Sequence, residues 1–151
     1  MNKTGLLLAL LLLAGAGYAV FGLTQPNEMA GHSMTPPDTS ELAEGAPIVD
    51  VALPEKLSQS AQIGQRGFEA KCASCHGRNA AGQNGVAPPL VHKIYEPSHH
   101  SDQAFVLAAQ NGVRAHHWRF GNMPPIEGVT PADAKYIATY VRELQEANGI
   151  N

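Results

Sequence analysis

The chain has 151 residues, with 10 Lys and Arg against 13 Asp and Glu and a formal charge of −3. Its length allows one domain, and it lacks the basic face that nucleic-acid binding requires. Only 15% of residues are charged and 6% aromatic, while Gly (15) and Pro (11) are plentiful, so side chains alone fill a core poorly and a bound apolar cofactor would supply the missing volume.

Met1-Asn2-Lys3 precedes an apolar run from Gly5 to Leu23. A basic start before such a run is an export signal. If the run stops at Leu13, Ala14-Gly15-Ala16 is an acceptable cleavage site; if it continues to Leu23, its 19 residues approach the ~20 that span a bilayer. Residues 1–23 therefore read as a signal peptide or an uncleaved membrane anchor, and either places the remainder outside the cytoplasm, on the periplasmic side of a bacterial inner membrane. Residues 24–57 carry Pro36-Pro37, Pro47 and Pro54 and no sustained period, which reads as a flexible linker. Residues 58–151 form the folded domain.

That domain opens with a helix expected from about Ser60 to Ala70, placing Ile63, Phe68 and Cys72 near one face. Gly64 costs up to ~1 kcal/mol relative to Ala inside it, which a close crossing by another helix would explain. Next comes Cys72-Ala73-Ser74-Cys75-His76, containing both cysteines of the chain. Two thiols at this spacing, followed directly by His, match covalent haem attachment: each thiol adds to a porphyrin vinyl group as a thioether and the imidazole becomes an axial ligand. A disulfide, a thioredoxin-like redox pair and half a zinc site use the same spacing, but a redox pair wants a βαβ context and zinc a second ligand pair. Residues 77–90 read as loop.

Ser101-Asp102 caps a helix expected to run to Asn111-Gly112. The last helix carries the strongest signals: Thr130 at the cap, Pro131 at the first position, a carboxylate at Asp133, then Ala134, Ile137, Ala138, Val141 and Leu144 at helical spacing up to about Ala147. No strand is convincing, and the expected class is all-α, with three or more helices around the cofactor.

With these residues in place, Ser58 to Gly149, about 60% of the chain, resembles a small class I mono-haem c-type cytochrome. The resemblance makes Cys72 and Cys75 the thioether cysteines and His76 the proximal iron ligand. Gly121-Asn122-Met123-Pro124-Pro125 resembles the family's Met-Pro loop, which implies that Met123 is the sixth ligand, 47 positions after His76. Met1 is the initiator, and Met29 and Met34 lie in the linker. Pro88-Pro89-Leu90 resembles the turn whose Pro carbonyl accepts the proximal His N–H, which assigns that supporting role to Pro88. Gly64 and Phe68 resemble the small and aromatic positions of the first helix, and Tyr140 the aromatic of the last helix that crosses it. Six-coordinate iron implies one-electron transfer rather than catalysis, and a thioether ligand implies a raised potential. Implied partners are membrane dehydrogenase complexes and terminal or copper oxidases.

The histidines depart from that family's minimal pattern. His92, His99-His100 and His116-His117 are solvated loop residues or partners of propionates and carbonyls on one reading, and metal ligands on another. Arg119 is a candidate propionate partner. In the linker, Met29-Ala30-Gly31-His32-Ser33-Met34 resembles short Met/His copper-binding stretches, since thioethers select Cu(I). This gives an alternative function, a copper-handling or copper-linked redox module with Met29, His32, Met34, His116 and His117 as copper ligands.

Overall fold

Helix α1, Gln59–Lys71, begins where the Ser58 side chain accepts from the Ala61 N–H. It buries Ala61, Gly64 and Phe68, whereas Ile63 is 38% exposed; the inward face is set by Gly64 and Phe68, four positions apart, and it turns Ile63 outward. A single helical turn, α2 (Ala73–His76), carries the Cys-His stretch. Residues 77–101 follow with two short 3-10 turns, Arg78–Ala80 and Lys93–Tyr95. Helix α3 is Asp102–Asn111 and α4 is Pro131–Ala147, the latter closed at its start by a reciprocal capping box between Thr130 and Asp133. Among the described residues, which are 35–151, the only β pairings are two isolated bridges, Gln83 with Ala87 and Val113 with Met123. These coordinates are a computed structural model.

The core forms where α1 and α4 cross. A Cβ on Gly64 would overlap the Tyr136 carbonyl oxygen and lie 2.5 Å from its carbon, so the two backbones meet at a position that only Gly allows. The expected partner at this crossing, Tyr140, sits one turn further along and packs on Phe68 with ring centroids 5.6 Å apart. Ala61, Ala80, Val91, Ile137, Val141 and Leu144 complete the cluster.

The segment read as a flexible linker differs from that reading from Thr39 onward. Asn84 Nδ2 donates to Leu42 O (2.8 Å), the Ile48 N–H to Ala81 O (3.1 Å), and Ala52 exchanges two bonds with the Asn148 side chain, each 2.9 Å. The segment needs no period of its own, because two Asn amides distant in sequence take up its backbone groups. Among the described residues no helix is long and apolar enough to cross a membrane; segment 1–23 lies outside them, as do Met29, His32 and Met34.

Candidate cofactor site

One cavity of about 530 Å³ opens against the Cys-His turn, and Cys72, Cys75, His76, Pro88, Trp118 and Met123 are among the side chains that line it. Helix α1 ends at Lys71, and α2 begins at once with Cys72 as its cap, which places both sulfurs and the imidazole within one turn. The carbonyls left over at the end of that turn are taken up locally. Gln83 Nε2 lies 2.8 Å from Ser74 O and 3.1 Å from Cys75 O, and the Gly82 N–H donates to His76 O at 2.8 Å. Gln83 carries no sequence signal for this role.

His76 Nδ1 lies 2.9 Å from Pro88 O. A carbonyl only accepts, so Nδ1 carries the proton and Nε2 keeps its lone pair. Burial holds the His76 pKa below its usual value, against the raising effect of that bond, which keeps the ring neutral as a ligand must be. The Cys72 thiol is pushed up to about 11, chiefly by burial and secondarily by Cys75. A redox CxxC needs the reverse, a lowered thiol pKa, so this environment argues against the thioredoxin-like reading.

Met123 reaches the cavity from the loop after α3. Helix α3 stops at Gly112, whose φ of 73° is left-handed, and a Cβ there would lie 2.5 Å from Met123 O. Val113 and Met123 then exchange two backbone bonds, each 2.9 Å, Asn122 Oδ1 accepts from the Ala115 N–H (2.9 Å), and the Ile126 N–H donates to Ala109 O (2.8 Å). The Met-Pro loop is thus pinned on both sides of the thioether.

Trp118 Nε1 is buried and makes no close hydrogen bond among the described residues; it faces the Tyr95 hydroxyl, where burial raises the pKa and the Trp118 N–H partly offsets it. A donor so loosely satisfied in a cavity wall can also serve an acceptor on whatever fills the cavity, and the carboxylates of haem are such acceptors. Together with two thiols, a neutral imidazole and a thioether, the donor set fits haem c. Arg119, expected near the propionates, is exposed and does not line the cavity.

The histidine-bearing wall is held by residues that the sequence did not single out. From α4, Arg142 donates to Tyr95 O (2.7 Å) and to His100 O, and pairs with Asp102 at 2.7 Å. Gln145, fully buried, donates to Leu90 O (2.7 Å) and Tyr95 O (3.0 Å). The N–H groups of His99 and His100 donate to Glu96 O at 3.0 and 2.8 Å. These clasps bring His99 and His100 beside His117, their ring-nitrogen ligand atoms all within 4.8 Å of one another. His116 stacks next to them, 4.3 Å from His117 and 6.0 Å from His100 between ring centroids. Of the two histidine pairs, His99-His100 and His116-His117, the structure thus brings three members together from two loops and leaves His116 beside them. His92 stands apart, edge-on to Trp118 at 5.5 Å.

The family model described as Cytochrome c matches residues 61–145. Over 94 residues the chain is 36% identical to the Cbb3-type cytochrome c oxidase subunit FixP of Bradyrhizobium sp. (strain ORS 278), covering 61% of this chain and 30% of that protein. Over 96 residues it is 33% identical to the Cbb3-type cytochrome c oxidase subunit CcoP of Rubrivivax gelatinosus, covering 61% of this chain and 28% of that one. The match thus spans under a third of the length of these curated relatives.

Proposed function

The chain belongs to the cytochrome c family, and from that premise we propose that it is a one-electron carrier outside the cytoplasmic membrane, with Cys72 and Cys75 as thioether anchors and His76 and Met123 as axial ligands. The observation that carries this reading is convergence: the three side chains of the Cys-His turn and Met123, 47 positions after His76 in a loop, line a single cavity. When bound, haem c supplies one reversible electron between ferrous and ferric iron. Cys72 and Cys75 would hold the group, each thiol adding across a vinyl group with its proton going to the neighbouring carbon, so that no group leaves. The Pro88 carbonyl fixes the ring orientation of His76 and leaves Nε2 free to bind. The paired backbone of Val113 and Met123 holds the thioether loop. With His76 and Met123 both held by the iron, no position would remain for a substrate, and the protein's part would be to set potential and docking.

The proposed acceptor is a terminal oxidase, a reading supported by relatives that are named as subunits of cbb3-type oxidases, and the proposed donor a membrane dehydrogenase complex. Segment 1–23 would export the domain or hold it at the periplasmic face. The test is a redox titration of the purified protein followed by absorbance, with extraction in acidified organic solvent. A single one-electron wave, a Met–Fe(III) band at the red end of the visible spectrum and haem retained on the polypeptide are expected. Free haem in the extract, or a spectrum unchanged by Met123→Ala, would overturn the ligand assignment.

A further inference from the structure

We propose that His99, His100 and His117 form a binding site for one divalent first-row transition ion, Cu2+ in preference to Zn2+, at the edge of the cofactor cavity. The Nε2 atoms of His99 and His117 lie 3.4 Å apart. That is long for an N–H hydrogen bond, which clusters near about 2.9–3.0 Å. It is the spacing of two nitrogens bound at about 2.0–2.1 Å to one tetrahedral ion, which geometry puts at ~3.3–3.4 Å. His100 Nδ1 lies 2.7 Å from Ile94 O; its proton must sit on that nitrogen, which leaves the Nε2 lone pair for a metal. A carbonyl on the far nitrogen is the arrangement that orients metal-bound imidazoles. The loop carrying His100 is itself fixed by Arg142, whose charge is offset by Asp102.

The donors are all imidazole nitrogen, so Mg2+ and Ca2+, which take oxygen ligands, do not suit the site, and Cu(I), which prefers sulfur, suits it less. The tetrahedral spacing is the one Zn2+ takes, whereas Cu2+ favours a tetragonal set, but the intrinsic order of divalent affinities for a given nitrogen site still places Cu2+ above Zn2+. His99 is exposed, so the ion enters from solvent. His116 is not among the three residues whose ligand atoms lie within 4.8 Å of one another, which leaves a fourth position for water. His100 and His117 also line the cofactor cavity, so the ion's positive charge sits at its edge and favours the less positive redox state there. That coupling, unlike the ion binding, rests on the haem reading.

The test is calorimetry with Zn2+ and Cu2+ on the untagged, haem-loaded protein, comparing wild type with His99→Ala/His117→Ala, the milder His99→Gln/His117→Gln, and His116→Ala. One ion per chain is expected, with a dissociation constant of about 10 µM or tighter for Cu2+ and a weaker one for Zn2+. Each double variant should lose at least about tenfold in affinity, and His116→Ala less than that. Electron paramagnetic resonance of bound Cu2+ should show splitting from imidazole nitrogens, abolished in the double variants. Binding no tighter than about 1 mM, or unchanged binding in a double variant that keeps its haem spectrum, overturns the site. Addition of Zn2+ should shift the midpoint potential upward; binding without that shift overturns the coupling alone and leaves the site standing.

Discussion

Between Cys72 and Leu90 the cavity wall is closed by its own backbone: Gln83 and Gly82 take up the carbonyls of the Cys-His turn, and Pro88 takes the His76 N–H. Between His92 and Ile126 the other wall is assembled from α3 and the loops on either side of it, which α4 clasps from behind, and its inward groups are left with free valence. These are the Met123 sulfur, the loosely satisfied Trp118 N–H and the imidazole lone pairs. The first wall anchors, and the second completes the ligand set. A change in the first should therefore cost the fold or the attachment, while a change in the second should alter ligation and leave the fold in place.

The largest effect is expected at the thiols. Cys72→Ser/Cys75→Ser removes both covalent anchors, and a chain with few core-filling side chains then loses the cofactor that completes its core. Haem staining of denaturing gels should find none on the polypeptide, and little folded protein should accumulate. Haem still attached in the double variant would refute the attachment chemistry.

Next comes the helix crossing. Gly64→Ala forces a methyl group into the Tyr136 carbonyl, which is backbone and cannot yield, so a loss of at least about 2–3 kcal/mol is expected. Gly67 is the control: a Cβ there meets only the Ile137 side chain, at 3.1 Å, and Gly67→Ala should change stability by under about 1 kcal/mol in either direction. Equal melting temperatures for the two variants would show that the crossing does not organise the domain.

The two walls also differ in how far the sequence disclosed them. The Cys-His turn was legible because its three side chains stand within five consecutive residues, and the end of α3 and the start of α4 because the signals at Gly112, Thr130 and Asp133 are local; Ser101 marked the start of α3, although its side chain makes no cap bond there. The inward turn of α1 was read only partly: Gly64 and Phe68 marked it, but Ile63 looked equally apolar and faces solvent. The second wall was nearly silent. Arg142 reaches Tyr95 and His100 across more than 40 positions, and such bonds from a side chain to a distant carbonyl leave no period or motif. The histidine trio was hidden for the same reason, since only the clasped loop brings residues 99 and 100 against 117.

A middle-sized effect is expected on the second wall. Met123→Ala removes the thioether but leaves the backbone pair with Val113, so the fold should persist with haem attached. The midpoint should fall on the order of a tenth of a volt, within the wide span that axial ligands command, and cyanide should bind readily at the opened position. A variant that fails to fold would place Met123 with the structural wall instead.

The smallest effect concerns His92, where the two walls join. Burial lowers its pKa from the ordinary value near 6.5, and its Nδ1 accepts from the Ile94 N–H at 3.2 Å as the cap of the Lys93–Tyr95 turn. Protonation would put a charge in a half-buried place and convert that acceptor into a donor facing another donor. A group whose folded pKa is lowered in this way, a histidine held neutral, binds fewer protons in the folded state than in the unfolded one. Its contribution is intact above the unfolded value near 6.5 and is lost as pH falls through the folded value. His92→Asn keeps a side-chain acceptor suited to a cap but does not titrate. Thermal melts of haem-loaded wild type should thus fall more between about pH 7.5 and pH 5.5 than those of His92→Asn, by a few degrees at most, while the two proteins melt close together at the higher pH. The comparison between proteins isolates His92 from the other histidines, which titrate in both. Parallel curves would mean that His92 is equally well solvated in the folded and unfolded chain, and the join between the walls would then be open to water.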